Sequence, residues 1–355
     1  MAENTGIEWT DATWNPIAGC NIVSAGCTNC YAMHTAHRQQ RMAAGAGRTS
    51  HYDGTTRMSG GRAVWTGKIN VAPDHILTKP MSWRKPRMIF VNSMSDLFHE
   101  SVPDHVIDRV FAVMALCPQH TFQVLTKRPE RMREYMHKAC GRIADAVQPL
   151  RTDKSVVGPL PHVEVGATWW PLPNVWLGTS VEDQQTADAR IPYLLDTPAA
   201  VRFISAEPLL GPVDLQEWMV CPNARDGLFM DPTTGAFECC SECDYTGLLG
   251  GIDWIIVGGE SGPAARPMHP EWARSIRDQC EAAGVAFLFK QWGEYAPEDA
   301  APDFAAERGF SRRSYDILHL GTPQTGIVNM YHFGKKRAGR LLDGVLHDGY
   351  PKGSA

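Results

Sequence analysis

The chain has 355 residues, of which 34 are basic and 39 acidic, so its formal net charge is −5; 43% of its residues are apolar and 21% charged. These values are ordinary for a folded globular protein with a large core and exclude disorder over most of the length. No apolar run approaches the roughly 18–20 residues that cross a bilayer. Residues 1–6 lack the pattern of a signal peptide. A cytoplasmic protein without a membrane partner is expected.

Short apolar runs that end abruptly in polar residues recur along the chain, with helix-like segments between them. The predicted strands are 88–92, 121–125, 174–178, 201–205, 252–257 and 285–289. The predicted helices are 103–117, one from about 129, one from about 180 to 195 opened by Ser180 and Asp183 at capping-box spacing, and one over 270–283. Nearly continuous apolar strands that alternate with helices indicate a parallel sheet. The pattern therefore predicts an α/β fold, a partial or full (β/α) barrel of parallel strands, with its site at the C-terminal strand ends.

Two stretches interrupt this alternation. Residues 216–250 have little apolar periodicity and several cysteines, which predicts a cysteine-rich insertion, so that 1–215 and 251–355 form the barrel with a C-terminal extension. Residues 34–87 hold ten Lys and Arg against two acidic residues, Asp53 and Asp74. This local excess of positive charge contrasts with the acidic chain as a whole.

Cys20, Cys27 and Cys30 place three thiols within eleven residues of a glycine-containing loop. Such a loop can hold a metal centre and leave one coordination position open, whereas structural zinc sites normally close with four protein ligands. Two interpretations follow from the spacing. One is a zinc site completed by His34, and the other is a four-iron cluster with one open iron.

The longer motifs resemble a known family. A three-cysteine loop before a barrel of parallel strands is similar to the radical S-adenosylmethionine (SAM) superfamily, although the spacing here is C-x6-C-x2-C rather than the commoner C-x3-C-x2-C. The chain most resembles the phage and prophage three-cysteine family that is distantly similar to spore photoproduct lyase. The matching segments are 6–16, 26–32, 180–182, 205–211, 257–262, 290–293 and 334–344. The likeness extends from about residue 6 to 351, without the insertion.

This resemblance implies a 4Fe-4S cluster on Cys20, Cys27 and Cys30, with SAM on the fourth iron. It also implies a 5′-deoxyadenosyl radical, an external reductant such as flavodoxin or ferredoxin, and a phage protein in the bacterial cytoplasm. The SAM-binding candidates are Tyr31, Asn92, Ser93, Ser95, Asp96, Lys127, Ser180, Glu182 and Glu207. Among them Lys127 would pair with the SAM carboxylate, while Ser180 and Glu182 would bind the ribose hydroxyls. Polar residues at strand ends also serve as helix caps, which is the alternative for each.

A second cysteine group lies in the insertion. Cys240 and Cys243 form one C-x2-C pair, which Cys221 and Cys239 would complete as a four-thiolate site. Structural zinc is the first interpretation, because an insertion with so little apolar content gains stability from a metal. An auxiliary iron–sulfur cluster and unmetallated thiols remain as alternatives.

The basic stretch at 34–87 predicts a surface that tracks the phosphates of DNA, where His51, Tyr52, Trp65 and Trp83 would stack on bases. A solvated loop is the alternative. Three functions remain open: a radical SAM enzyme that repairs or modifies a nucleic-acid base, such as a lyase or isomerase of a pyrimidine in phage DNA; a radical SAM enzyme acting on a small metabolite or peptide; and a non-catalytic, zinc-stabilised nucleic-acid-binding protein. If the enzyme acts on duplex DNA, its target base must be flipped out of the double helix into the mouth of the barrel.

Overall fold

The computed structural model describes residues 5–152, 170–219, 229–230, 237–238, 251–300, 317–322 and 326–351. The strands are β1 (Ala12–Trp14), β2 (Ile17–Ala18), β3 (Thr56–Ser59), β4 (Arg62–Trp65), β5 (Asn70–Val71), β6 (Met88–Val91), β7 (Thr121–Thr126), β8 (Val175–Ser180), β9 (Val201–Ala206), β10 (Phe229–Met230), β11 (Phe237–Glu238), β12 (Trp254–Gly258), β13 (Ala286–Gln291), β14 (Tyr295–Pro297), β15 (Ile317–Thr322), β16 (Gly326–His332), β17 (Leu341–Leu342) and β18 (Val345–Leu346). The helices are α1 (Tyr31–Gly45), α2 (Asp74–Leu77), α3 (Asp104–Ala115), α4 (Pro129–Met136), α5 (Cys140–Thr152), α6 (Gln184–Leu195), α7 (Gln216–Met219), α8 (Pro270–Ala283) and α9 (Lys335–Ala338). Single 3-10 turns lie at Ala25–Cys27, Lys79–Ser82 and Glu298–Ala300.

Seven strands form one sheet in the order β1-β6-β7-β8-β9-β12-β13. The ladders are parallel, with Ala12 beside Ile89 and Phe122 beside Val175. Strands β8 and β12 are buried at every position, as the apolar runs of a parallel sheet require. The predicted α/β class is confirmed, and the sheet is compatible with a partial (β/α) barrel.

The chain divides into two compact units. The first comprises residues 1–179 with 196–201, and the second comprises 180–195 with 202–355. Most of the predicted insertion at 216–250, including Cys221, Cys239, Cys240 and Cys243, lies outside the described residues. Within the part that the structure describes, no helix is long and apolar enough to span a membrane.

Helix α3 anchors the core of the first unit, where Val110 and Phe111 are fully buried. Asp104 lies in its first turn, where a negative charge complements the positive end of the helix dipole. Near the other end, the Asn174 side-chain amide donates to the carbonyls of Met114 and Cys117, at 3.0 and 3.1 Å. Carbonyls at a helix C-terminus lack intrahelical partners. Asn174 thus fixes the start of β8 against the end of α3.

In the core of the second unit, the fully buried Trp254 of β12 packs against Phe203, with ring centroids 5.8 Å apart. Its indole nitrogen donates to the carbonyl of Gly349 at 2.8 Å. Helix α8 has the predicted bounds and is capped by Gly284 in the left-handed conformation, with φ 68°, a backbone state that glycine adopts without a steric penalty. After Gly284 the chain turns back into the sheet as β13.

The start of α6 differs from the prediction. Ser180 is the last residue of β8 rather than a helix cap, because the next amide, that of Val181, still donates to the Ser205 carbonyl at 3.0 Å. The cap is instead Asp183, whose Oδ1 accepts from the Thr186 amide at 2.9 Å. The strand therefore ends two residues later than predicted, and the helix cap lies three residues later, at Asp183.

Candidate functional site

The loop that carries the first three cysteines begins at Gly19, which pairs with Ser95 in an isolated parallel bridge. Gly19 has φ 101°, and a Cβ placed on it would lie 2.0 Å from the Lys68 carbonyl oxygen. Only glycine fits such a close backbone approach with a positive φ. The loop is thus held next to the residues that follow β6.

All three thiols of this loop are free. Cys27 ends a 3-10 turn and is buried, while Cys20 and Cys30 are half-buried and pack against an apolar cluster that includes Ala32 and Met33 of α1. Burial raises the pKa of Cys20 to about 12, with the Asp96 carboxylate adding to the rise. In the metal-free chain Cys20 is therefore a neutral thiol.

The three thiols also affect one another electrostatically. Burial raises the pKa of Cys30, and the neighbouring Cys27 raises it further, whereas the positive charge of Lys127 acts in the opposite direction. Cys30 in turn raises the pKa of Cys20. Bound metal cations would favour the thiolates and offset the cost of burying them.

The donor set fits a metal centre in its chemistry, because one short loop supplies three free sulfur ligands. Across the described residues, however, no three His, Cys, Asp or Glu side chains converge into a metal-binding group. His34, which would complete the zinc alternative, lies exposed on α1. The loop therefore offers the ligands without a preformed cage.

Asn92, the residue after β6, has an unsatisfied side chain. It is 2% exposed, its φ is 61°, and neither its amide nitrogen nor its amide oxygen has a partner. A buried carboxamide without hydrogen bonds is costly, and non-glycine residues seldom adopt a positive φ. Asn92 therefore presents one donor and one acceptor that only a ligand or water would satisfy.

The other candidates after β6 already have partners. The Ser93 hydroxyl donates to Asn15 Oδ1 at 3.2 Å, and the Ser95 hydroxyl donates to the Ile17 carbonyl at 2.9 Å. The Tyr31 hydroxyl donates to the Ser93 carbonyl at 3.1 Å. These contacts tie α1 and the segment before the loop to the end of β6.

Asp96 is the most heavily bonded of the predicted ligands. Its carboxylate accepts from the Thr126 hydroxyl at 2.7 Å and from the backbone amide of Lys127 at 3.0 Å. It also accepts from the Phe98 amide at 3.0 Å and from Arg128 Nη1 at 2.9 Å. With four donors around it, Asp96 links the ends of β6 and β7.

Arg128 is a site residue that the sequence analysis missed. Besides Asp96, its guanidinium donates to Glu100 at 2.9 Å and to the side-chain oxygen of Asn21 in the cysteine loop. The Asn21 side-chain nitrogen also donates to the Glu100 carboxylate, at 3.0 Å. This network holds the cysteine loop to the end of β7. The preceding residue, Lys127, was the cation that the sequence indicated as a site residue.

In the second unit, Ser180 and Glu182 share one arginine. Arg190 donates to the Ser180 carbonyl at 2.7 Å and to the Glu182 carboxylate at 3.1 Å. Glu182 is fully buried, so its charge is neutralised inside the unit. The predicted ribose contact would require that pair to rearrange.

Glu207, after β9, forms a second pair. Lys290 Nζ lies 2.8 Å from each Glu207 oxygen, and the Gln291 side-chain nitrogen donates to the same carboxylate at 2.9 Å. A Cβ on Gly258 would come 3.2 Å from this carboxylate, and one on Gly259 would come 1.9 Å from the Trp292 carbonyl. The two glycines therefore allow a close packing of strand ends.

The prediction that aromatic residues of the basic stretch lie at the surface is wrong for three of them. Tyr52, Trp65 and Trp83 are 7%, 9% and 6% exposed. Trp65 lies on β4, which pairs with β3 across the turn at residues 60–61, and the resulting hairpin packs its buried face on α1. These rings belong to the core and are not available to stack on bases.

Comparison with curated proteins and with solved structures gave no match. A protein-family model, in contrast, matches residues 4–351. Because that match covers nearly the whole chain, the protein belongs to the family described as "Protein of unknown function (DUF5131)".

Proposed function

We propose that this protein is a radical SAM enzyme that holds a 4Fe-4S cluster on Cys20, Cys27 and Cys30 and acts on a nucleic-acid base or modified nucleotide. The observation that carries the proposal is the loop itself, with three free thiols held beside strand ends where an unsatisfied Asn92 is available. The resemblance to radical SAM proteins supplies the chemical class. Under this proposal, the parallel sheet is a barrel of the radical SAM type.

When bound, a reduced cluster would supply one electron to SAM and break its sulfonium carbon–sulfur bond to give methionine and a 5′-deoxyadenosyl radical; this radical would take a hydrogen atom from the substrate and become 5′-deoxyadenosine. The residues of this chain would bind and orient the cluster and SAM. Gly19 and Arg128 hold the loop, and the half-buried setting of Cys20 and Cys30 limits access of water.

Asn92 is the residue best suited to hold a polar group of SAM, because its carboxamide lacks any other partner among the described residues. Lys127 supplies a positive charge close enough to affect Cys30, consistent with a partner for the SAM carboxylate. Glu182 and Glu207 stay paired with Arg190 and Lys290 until a ligand competes for them.

Anaerobic reconstitution with iron and sulfide tests the cluster. We expect about four irons per chain and a brown protein. Simultaneous replacement of Cys20, Cys27 and Cys30 by alanine should abolish the iron and its absorbance. Cys140→Ala is the matched control, since Cys140 is free and half-buried but lies at the start of α5. Full iron content in the triple variant, or zinc in place of iron, would contradict the assignment.

SAM binding is tested by Asn92→Gly, which deletes the carboxamide while glycine still accommodates the positive φ. We expect SAM affinity to fall about tenfold or more, the effect of a lost hydrogen bond to a charged group. Iron content should not change. Cleavage is followed as 5′-deoxyadenosine formed with dithionite or with flavodoxin, and unchanged SAM affinity would remove Asn92 from the site.

Structural zinc in the insertion stays a separate proposal. Cys240→Ser with Cys243→Ser should remove bound zinc and leave SAM cleavage at least partly intact. Metal analysis that finds no zinc in the wild type would remove its basis.

A further inference from the structure

Helix α1 begins directly after Cys30 and carries a continuous exposed stripe. Tyr31, His34, Arg38 and Arg41 follow one another at spacings of three, four and three residues, and all four are exposed. Residues at such spacings lie on one side of a helix. We call these four residues the α1 basic face.

The charge of this face has no counterpart nearby. The sequence of α1 contains no Asp or Glu. Arg38 and Arg41 form no ion pair or hydrogen bond in the part of the chain that the structure describes, unlike Arg128, which binds two carboxylates. In a chain with net charge −5, two unpaired arginines beside a histidine indicate a surface suited to an anion.

The face is also rigid. On the opposite side of α1, Ala32, Met33 and Ala36 are buried in one cluster with Ala63 and Trp65 of the β4 strand. The helix is therefore held along its buried side, and a ligand on the exposed side would not have to order it. Lower ordering costs leave more of the contact energy for affinity.

Tyr31 gives this face an aromatic end beside the cysteine loop. Tyr31 is 50% exposed, while its hydroxyl donates to the Ser93 carbonyl at 3.1 Å. An exposed ring with an anchored hydroxyl offers a preorganised surface for stacking on a base, and stacking needs no particular base. The buried Trp65 and Trp83 cannot serve this purpose.

We propose that the α1 basic face docks a single-stranded segment of nucleic acid, with the backbone along Arg38 and Arg41 and one base stacked on Tyr31 next to the cysteine loop. Ten residues separate Tyr31 from Arg41, about 15 Å along the helix, which is long enough to contact more than one nucleotide of a single strand. The inference deepens the proposed function, since it names the partner and the place where it enters.

Hairpin β3–β4 supplies a matched control. Arg57 and Arg62 are exposed, and no ion pair of theirs occurs among the described residues. They alternate along their strands with Thr56 and Trp65, which are buried, so they lie on the hairpin face turned away from α1. Reversing Arg57 and Arg62 changes the total charge as much as reversing Arg38 and Arg41, on another surface.

The test measures fluorescence anisotropy of a labelled, mixed-sequence single-stranded DNA with the full chain at several salt concentrations. Arg38→Glu with Arg41→Glu should make the slope of log affinity against log salt shallower by about 1.4, the loss of two contacts at 0.7 each. Arg57→Glu with Arg62→Glu should leave the slope within error of the wild type. Equal effects of the two pairs, or no binding by the wild type at low salt, would overturn the inference.

Tyr31 is tested with the same probe. Tyr31→Ala should weaken binding about 5- to 150-fold, which corresponds to the loss of one stacked base. Tyr31→Phe keeps the ring and should retain most of the affinity. If the phenylalanine variant binds as weakly as the alanine variant, stacking is refuted, and a preference for duplex over single-stranded DNA refutes the single-strand assignment.

Folding and cofactor loading are measured in parallel. Thermal unfolding and iron content of each variant show whether lost binding reflects a misfolded helix, and Arg38→Gln with Arg41→Gln repeats the test with good helix formers and no new charge. If the wild-type protein binds iron and cleaves SAM but does not bind DNA, the docking inference is refuted and the proposed cofactor chemistry is not. DNA binding without iron would refute the proposed cofactor chemistry alone.

Discussion

Replacing Arg128 by alanine should destabilise the first unit and loosen the cysteine loop. The Arg128 side chain is 12% exposed and its guanidinium lies 2.9 Å from the carboxylate of Asp96, whose side chain is 7% exposed, so the pair is nearly removed from water. Loss of Arg128 leaves a buried negative charge that keeps only three uncharged donors, those of Thr126, Lys127 and Phe98. It also releases Asn21 in the loop.

The expected loss of unfolding free energy in Arg128→Ala follows from the burial of the Arg128–Asp96 pair. Removing one partner of a buried pair costs about 3–5 kcal/mol, and we expect a value near 3 because three hydrogen bonds to Asp96 remain. The second partner of Arg128, Glu100, is 59% exposed, so that contact adds at most about 1 kcal/mol. Arg109→Ala is the control: its 2.8 Å pair with Asp74 is 40% and 76% exposed and should contribute less than about 1 kcal/mol.

Urea unfolding at neutral pH, followed by tryptophan fluorescence, gives the free energy of unfolding of each variant. Hydrogen exchange over residues 19–30 reports the loop directly, and it should accelerate in Arg128→Ala but not in Arg109→Ala. Arg128→Lys keeps a charge but not the forked geometry that reaches three partners. Its free energy of unfolding should therefore lie between those of the wild type and Arg128→Ala. If both alanine variants lose the same free energy, or if exchange in the loop does not change, the network does not hold the loop.

Three further predictions concern separate parts of the chain. Gly19→Ala should lower iron content and stability, since its Cβ would lie 2.0 Å from a carbonyl oxygen, whereas Gly60→Ala, with nothing within 4 Å, should keep its iron in the same assay. Burial lowers the pKa of His120, so its contribution to stability is complete above about pH 6.5, the unfolded value, and declines as pH falls toward the folded pKa. Thermal midpoints measured from pH 8 to 5 should drop less in His120→Gln, and an identical pH profile would contradict this. Lys290→Met should cost about 1–3 kcal/mol in urea unfolding by leaving the half-buried Glu207 carboxylate without its cation; an unchanged midpoint would contradict it.

The sequence pattern predicted the strands well because it depends on local properties. Nearly continuous apolar runs identify buried parallel strands, and the helix predicted over about 270–283 coincides with α8. The three cysteines were also predicted to lie on a glycine-containing loop, and the structure places them between β2 and the start of α1. These features require no knowledge of which residues meet across the fold.

Predictions that depended on distant contacts were less successful. Lys127 and Arg128 are adjacent cations after β7, and only the position of Asp96 and of the cysteine loop determines that Arg128 joins them. In the basic stretch, the buried Trp65 was predicted to be a stacking surface. A signal was present, because two glycines separate short alternating runs at residues 56–65, a pattern typical of a hairpin with one buried face.

The cluster that joins the cysteine loop, α1 and hairpin β3–β4 has a consequence for local unfolding. It buries the rings of Tyr52 and Trp65 together with small side chains of α1 such as Ala32 and Ala36, so the loop, the helix and the hairpin share one set of contacts. Local unfolding that opens this cluster should therefore expose the cysteine loop and the hairpin together. Because Cys20 and Cys30 pack on the same cluster, a metal bound only in the closed form stabilises the hairpin by mass action. Protease resistance of the hairpin would then report how fully the loop is loaded.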